Sequence, residues 1–235
     1  MTLPTINVPT YELEVPSTKE KITYRPFLVK EEKLLLAAME TGEGEGDLVR
    51  ALRQIITNCL VTEINLDSLA TFDMEYIFLN LRAKSVGEVA KVTVVCPDDE
   101  ETQVPVEIPL DEIKVDFPEG HSNKIKLTDS IGMTMKYPDF SLAALGSGDR
   151  GSDYMFDVIK QSIVQITEGE TVHERIDFND AELDTFLDSL NTKQLEEVQT
   201  FFETMPRLRH KIKVTNPKTK KKNTIILEGL DAFFA

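Results

Sequence analysis

The chain has 235 residues, which is enough for one large domain or two small ones. Its 41 acidic and 26 basic residues give a net charge of −15, which argues against binding to nucleic acid or an anionic membrane. Hydrophobic residues make up 41% of the chain, and no apolar run approaches the roughly 20 residues that span a bilayer. The N-terminus has no basic region followed by an apolar core, so we expect a soluble, cytoplasmic protein without a signal peptide.

The first 25 residues are predicted to form an extended N-terminal arm. Prolines at three positions interrupt any helix there. Tyr11, Leu13 and Val15 alternate with glutamates, as in an edge strand.

Two packed helices are predicted within residues 27–59, where apolar side chains recur at helical spacing on both sides of one break. The first helix is apolar nearly all round, which predicts burial on more than one side. Glycine alternates with glutamate through the break at residues 41–46, which predicts a mobile loop there, and Asp47 is a candidate N-cap for the second helix.

The amino-acid sequence of this helical region resembles those of the baseplate hub assembly proteins of contractile-tailed bacteriophages of the T4 type. The resemblance rests on FLVKEEKLLLAAMETGEGEGDLVRALRQIITNC (residues 27–59), FDMEYIFLNLRAKSVGEVAKV (72–92) and the tail LEGLDAFF (227–234). It implies a structural or chaperone-like protein that binds other phage baseplate or tail proteins, and no catalytic motif belongs to the family's pattern. The implied location is the host cytoplasm during assembly, or the virion baseplate if the protein remains there.

A third helix, predicted near residues 69–83, is apolar on two faces and should be central and well buried. The apolar period then changes to two, which predicts a hairpin around Cys96–Pro97. Further short strands are predicted at residues 113–117, 124–127 and 133–137.

Helices are predicted to resume near Phe140. Met155, Ile159, Ile163 and Ile166 form an apolar stripe at helical spacing. Two later helices carry complete start signals, with the N-cap and N3 residues Asn179 and Glu182 in one, and Asn191 and Gln194 in the other. Pro206 ends the second of these helices, and a hairpin of residues 211–215 and 224–228 follows.

Motifs for chemistry are weak. Gly146, Gly148 and Gly151 match a dinucleotide-binding spacing, but the segment before them is helical and Asp149 would repel a diphosphate, which favours a plain mobile loop. The three histidines lie in different segments without a ligand pattern. We therefore expect no cofactor, no small-molecule substrate and no catalytic residue.

Two hairpins share a pattern of strand, one residue, proline and turn: KVTVVCPDDEE (residues 91–101) and KIKVTNPKTKK (211–221). In a zinc knuckle, cysteines occupy the positions that hold Cys96, Asp99, Asn216 and Thr219 here. One thiolate and one carboxylate fall short of a structural zinc site, so no metal is expected. A metal-free descendant of a zinc ribbon and two unrelated hairpins both remain open.

The opposite charges of these two tips predict that they lie close together. Cys59 and Cys96 are expected to be free thiols, because the compartment is reducing. In the tail, Leu230, Phe233 and Phe234 are interaction candidates, since exposed phenylalanines require a cover.

The sequence as a whole predicts an α+β protein in which helical blocks flank a small, mostly antiparallel β-region, with two knuckle-like hairpins resembling a metal-free zinc ribbon. The expected organisation is an arm (1–25), a helical block (26–85), a β-rich region (86–138), a second helical block (139–206) and a C-terminal hairpin returning to the β-rich region (207–235). The resemblance favours a hub assembly protein. The alternatives are a permanent structural subunit of the baseplate and, less favoured, an unrecognised hydrolase.

Overall fold

The computed structural model describes residues 6–41, 45–143 and 151–233, and they form an α+β protein, which confirms the predicted fold class. The helices are α1 (Val29–Thr41), α2 (Glu45–Cys59), α3 (Thr71–Ser85), α4 (Phe140–Ala143), α5 (Gly151–Ser162), α6 (Asp180–Asp188) and α7 (Thr192–Thr204). The strands are β1 (Tyr11–Glu14), β2 (Lys21–Tyr24), β3 (Val89–Val95), β4 (Gln103–Pro109), β5 (Lys114–Asp116), β6 (Lys124–Lys126), β7 (Ile131–Met135), β8 (Ile163–Glu168), β9 (Thr171–Glu174), β10 (Arg207–Thr215) and β11 (Lys222–Glu228).

The chain divides into two compact units. Unit 1 comprises residues 1–116 and 207–235, and unit 2 comprises residues 117–206. None of the helices in the described parts of either unit is long and apolar enough to cross a membrane.

Unit 1 begins with a hairpin of β1 and β2, which lies within the range expected to form the arm. The side chains of Val15, Ile22 and Tyr24 are buried, and Tyr24 forms a β-bridge with Leu60 just after α2. The hairpin is therefore part of the core of unit 1.

The three predicted helices of unit 1 are present, and α3 is buried along most of its length, as its apolar pattern predicted. Helix α2 begins at Glu45, so Asp47 lies inside the helix and is not its N-cap, which makes that prediction wrong. A helix can include a glycine such as Gly46 in its first turn, because glycine destabilises a helix by only about 1 kcal/mol relative to alanine. The loop predicted between the helices falls largely on residues 42–44, which lie outside the described residues.

The last strands of the chain pair with a strand from its middle. Strand β10 bonds to β11 on one side and to β5 on the other, with Leu208 opposite Val115. Strands β3 and β4 form a separate antiparallel hairpin.

Unit 2 is a four-stranded antiparallel sheet in the order β6-β7-β8-β9, with helices packed on one face. Its core contains Met133 and Ile163 from the sheet, Leu183 from α6, and Val198 and Phe201 from α7. The predicted N-caps of α6 and α7 are confirmed, because Asn179 and Asn191 each accept a hydrogen bond from the N3 backbone N–H.

One helix in unit 2 is shorter than predicted. Helix α5 ends at Ser162, and Ile163 and Ile166 belong to β8, so their assignment to a helical stripe was wrong. The segment from Ile163 to Thr167 is rich in β-branched residues, and pairing with β7 and β9 stabilises it as a strand. The glycine loop predicted before α5 falls on residues 144–150, outside the described residues.

Candidate interaction surfaces

The two hairpin tips of unit 1 meet, as their charges predicted. The Asp98 carboxylate accepts hydrogen bonds from Asn216 Nδ2 at 2.9 Å, from Asn223 Nδ2 at 2.7 Å and from the Thr219 hydroxyl. Beside them, Lys218 Nζ lies 3.0 Å from Glu101 Oε2. The bonds from Thr219 and Asn216 lower the pKa of Asp98, so a charged carboxylate held by neutral donors joins the tips.

The four knuckle positions have separate structural roles. Cys96 and Asn216 are fully buried at the ends of their strands. Asp99 accepts bonds from the hydroxyl and backbone N–H of Thr102 in its own turn, and these hold its pKa far below the usual range. Thr219 donates to Asp98.

Among the described residues, no group of three or more His, Cys, Asp or Glu side chains is arranged to hold a metal ion. Asn216 stands where a zinc knuckle has a cysteine ligand. Its side chain instead stabilises its own turn, because Oδ1 accepts hydrogen bonds from the backbone N–H groups of Lys218 and Thr219. Descent from a zinc ribbon remains a hypothesis.

The two knuckle-like hairpins have the same type of turn at their tips, and the hairpin of β1 and β2 has a third turn of this type that the sequence did not reveal. Each turn begins with a buried residue that is followed by a proline. The fourth residue after the buried one is not glycine but has a left-handed backbone, and its N–H donates to the carbonyl of the buried residue at 2.9 Å. The pairs of buried and left-handed residues are Val15 and Lys19, Cys96 and Glu100, and Asn216 and Lys220. The residue after each proline reaches another element: Ser17 contacts Asp73, Asp98 contacts Asn216, and Lys218 contacts Glu101.

Asp73 is a buried carboxyl group that sequence analysis did not single out. It accepts the backbone N–H groups of Ser17 at 2.9 Å and Ala70 at 3.1 Å, and also the Ser17 hydroxyl. Burial raises its pKa, and these hydrogen bonds only partly oppose the shift. Asp73 therefore fixes the first hairpin to the start of α3.

The tail residues proposed as interaction candidates are covered by the chain itself where they are described. Leu230 and Phe233 are buried, and the turn Asp231–Phe233 packs near β11 and β3. Phe234 lies outside the described residues.

Helix α1 is exposed, so the prediction that it is buried on more than one side was wrong. Among the side chains of α1 whose burial the structure describes, the less exposed ones are Glu31, Leu35 and Ala38, which are at helical spacing and define one inward face. Val29 and Leu36, seven residues apart and 66% and 52% exposed, share the opposite face. Leu28 and Leu34 are also exposed at 40% each. Leu34 lies about 200° around the helix from Leu36, so we call only the two residues of the opposite face, Val29 and Leu36, the α1 patch.

An ion pair anchors the inward face of α1. The Glu31 carboxylate is fully buried and accepts Arg25 Nη2 at 3.0 Å and the Leu28 N–H at 2.9 Å. Burial opposes ionisation of Glu31, but the bonds from Arg25 and Leu28 outweigh it and lower the pKa. Because Arg25 also donates to the Asn58 carbonyl at 2.8 Å, it connects β2, α1 and the end of α2.

Unit 2 has a groove of about 400 Å³ between its sheet and α6. Ile131, Ile166, Glu168 and His173 line the sheet side. Asp177, Phe178, Glu182, Leu183 and Phe186 line the other side. Its floor is apolar and its rim carries carboxylates.

The three histidines lie in different local surroundings. His121 stacks against Tyr137 and Phe201 at ring-centroid distances of 5.6 and 5.2 Å, and burial lowers its pKa. His173 lines the groove, and His210 lies in β10.

Comparison with models of known protein families gave a match over nearly the whole chain. A family model described as T4 bacteriophage base plate protein matches residues 8–235, nearly the whole chain. No curated protein and no solved structure matched.

Proposed function

The chain belongs to the family of T4 bacteriophage base plate proteins, and on this premise we propose that it acts in assembly of the baseplate hub. It does so by binding other phage baseplate or tail proteins. Its site of action is the host cytoplasm during assembly and, if it is retained, the baseplate of the virion.

The observation that carries this proposal is the α1 patch. Two large aliphatic side chains, Val29 and Leu36, are 66% and 52% exposed on one face of α1. Exposed apolar side chains that share one helix face can form a protein–protein interface, because their transfer from water stabilises a complex by about 25 cal/mol per Å². A partner protein that covers this face would bury the apolar side chains of α1, as the sequence pattern predicts.

We further propose that the protein works by binding and not by catalysis. The family is one of baseplate proteins, and the resemblance brings no catalytic motif. The two fully buried carboxyl groups of the described residues, Glu31 and Asp73, are both engaged in joining elements of unit 1.

Charge substitution in the α1 patch tests the proposal. Val29→Glu and Leu36→Glu place a charge on side chains that are already exposed, so both variants should fold. In cells infected by phage lacking the gene, either variant should support fewer infectious particles than the wild-type protein. The matched control is Ile226→Glu, a similar change at a 58% exposed position in β11, which should support normal yields. Normal yields with both patch variants would refute the proposal.

A chaperone-like role and a permanent structural role differ in where the protein is found. Mass spectrometry of purified virions beside the infected-cell lysate separates them. A stoichiometric amount in virions shows a permanent subunit. Presence in the lysate with absence from virions shows an assembly factor that departs.

A further inference from the structure

Strand β9 is an exposed edge of the sheet in unit 2. It pairs with β8 through Ile166–His173 and Thr167–Val172, and no strand of the described residues pairs with its outer side. All four of its residues are exposed. Its last residue, Glu174, gives its N–H to Asp177 at 2.8 Å, so the accessible backbone edge is residues 171–173. An exposed edge can accept an additional strand from another chain.

The groove lies directly beside this edge. The register places Ile166 opposite His173 and Ile131 opposite Glu168, so these four side chains share one face of the sheet. Phe178 and residues of α6 form the facing wall. A side chain from a strand added to β9 would therefore have an apolar pocket beside the β9 edge.

The charge of the groove specifies its occupant. Glu168, Asp177 and Glu182 line it, and none of the lining residues that the structure describes is a lysine or an arginine. The neighbouring cation, Arg175, is engaged by the Phe178 carbonyl and the Asp180 carboxylate. Carboxylates around an apolar pocket attract basic segments and repel acidic ones.

We propose that β9 and the groove bind an extended, basic segment of another baseplate or tail protein. The segment adds as a strand beside residues 171–173. One of its apolar side chains enters the pocket, and flanking lysines or arginines meet Glu168, Asp177 and Glu182. The identity of the partner as a baseplate or tail protein rests on the proposed function, whereas its chemistry rests on the groove alone.

The test uses the purified full-length chain and a fluorescein-labelled probe peptide of alternating lysine and valine, seven residues long. Fluorescence anisotropy should show saturable binding of this peptide. An analogue with glutamate in place of lysine should not bind, because the rim repels it. An analogue with proline in place of the central valines should bind at least about tenfold more weakly, because proline cannot complete the strand bonds.

Variants separate the groove from the general acidity of the chain. Glu168→Lys should weaken binding about tenfold, since it replaces attraction by repulsion at the rim. The matched control, Glu197→Lys on the exposed side of α7, makes the same change in net charge and should leave binding nearly unchanged. Hydrogen exchange should show protection by the peptide in residues 163–178.

Equal binding of the lysine and glutamate peptides, equal weakening by the two charge variants, or protection confined to other segments would overturn the proposal. Self-association of the wild-type chain in sedimentation, if lost in Glu168→Lys, would also overturn it, since the occupant would then be a second copy. The peptide experiment does not involve the α1 patch. Its failure leaves the proposed function standing, and failure of the α1 variants leaves the groove chemistry standing.

Discussion

Replacing Arg25 by methionine should destabilise unit 1 by about 3 kcal/mol, because it leaves the fully buried Glu31 carboxylate without its main partner. Removing one member of a buried ion pair costs about 3–5 kcal/mol. We expect the lower end, since Glu31 retains the Leu28 N–H at 2.9 Å and Lys30 Nζ at 3.3 Å.

Urea unfolding followed by circular dichroism measures the loss, and hydrogen exchange in residues 25–59 locates it. The matched control is Arg53→Met, which removes an exposed pair with Asp67 and should cost at most about 1 kcal/mol. The double variant Arg25→Met/Glu31→Gln removes the stranded charge and should be more stable than Arg25→Met alone. Equal losses of stability in Arg25→Met and Arg53→Met, or a double variant no more stable than Arg25→Met, would show that the buried Glu31 charge does not need Arg25.

The same variant has a defined pH dependence. The pKa of Glu31 is lowered in the folded state, so its contribution to stability is present above its unfolded value of about 4.5 and is lost as the pH falls through the folded value. The cost of Arg25→Met should therefore shrink at acidic pH.

Three further results are expected. The pKa of Asp73 is raised by burial, so its stabilising effect is full below about pH 3.8 and is lost as the pH rises through the folded value. Urea unfolding should thus show a larger cost of Asp73→Asn at pH 4 than at pH 7, and a cost that grows with pH would contradict this. Deleting residues 230–235 removes the buried Phe233 and should cost about 3–5 kcal/mol by the same assay, whereas a tail that serves only as an interface would leave stability unchanged. Burial raises the pKa of Cys59 to about 11, so iodoacetamide at pH 8 should label it only after unfolding, and rapid labelling of the native chain would contradict its burial.

Local signals in the sequence predicted much of the fold. The capping residues Asn179 and Asn191 act within one helical turn, so their effect is legible without the rest of the chain. The apolar stripe through Ile163 gave a wrong prediction of helix, because apolar spacing does not show where a helix changes to a strand. In this chain the change occurs at Ile163, where pairing with β7 and β9 stabilises a strand.

The candidate sites were less predictable, because they depend on contacts between distant segments. The bond from Ser17 to Asp73 spans 56 residues, and neither residue carries a distinctive local pattern. Charge did predict that the tips of the two knuckle-like hairpins meet. The apolar pattern of α1 indicated burial, but it could not indicate that the described residues would leave Val29 and Leu36 exposed.

Cross-linking in infected cells, with a lysine-reactive reagent and mass spectrometry, measures directly whether α1 contacts other tail proteins. Lys30 and Lys33 are exposed on α1, beside the α1 patch. We expect links from these two lysines to other phage baseplate or tail proteins, and fewer such links in Leu36→Glu. Links from Lys30 and Lys33 only to other positions of this chain, while lysines elsewhere link to tail proteins, would contradict it.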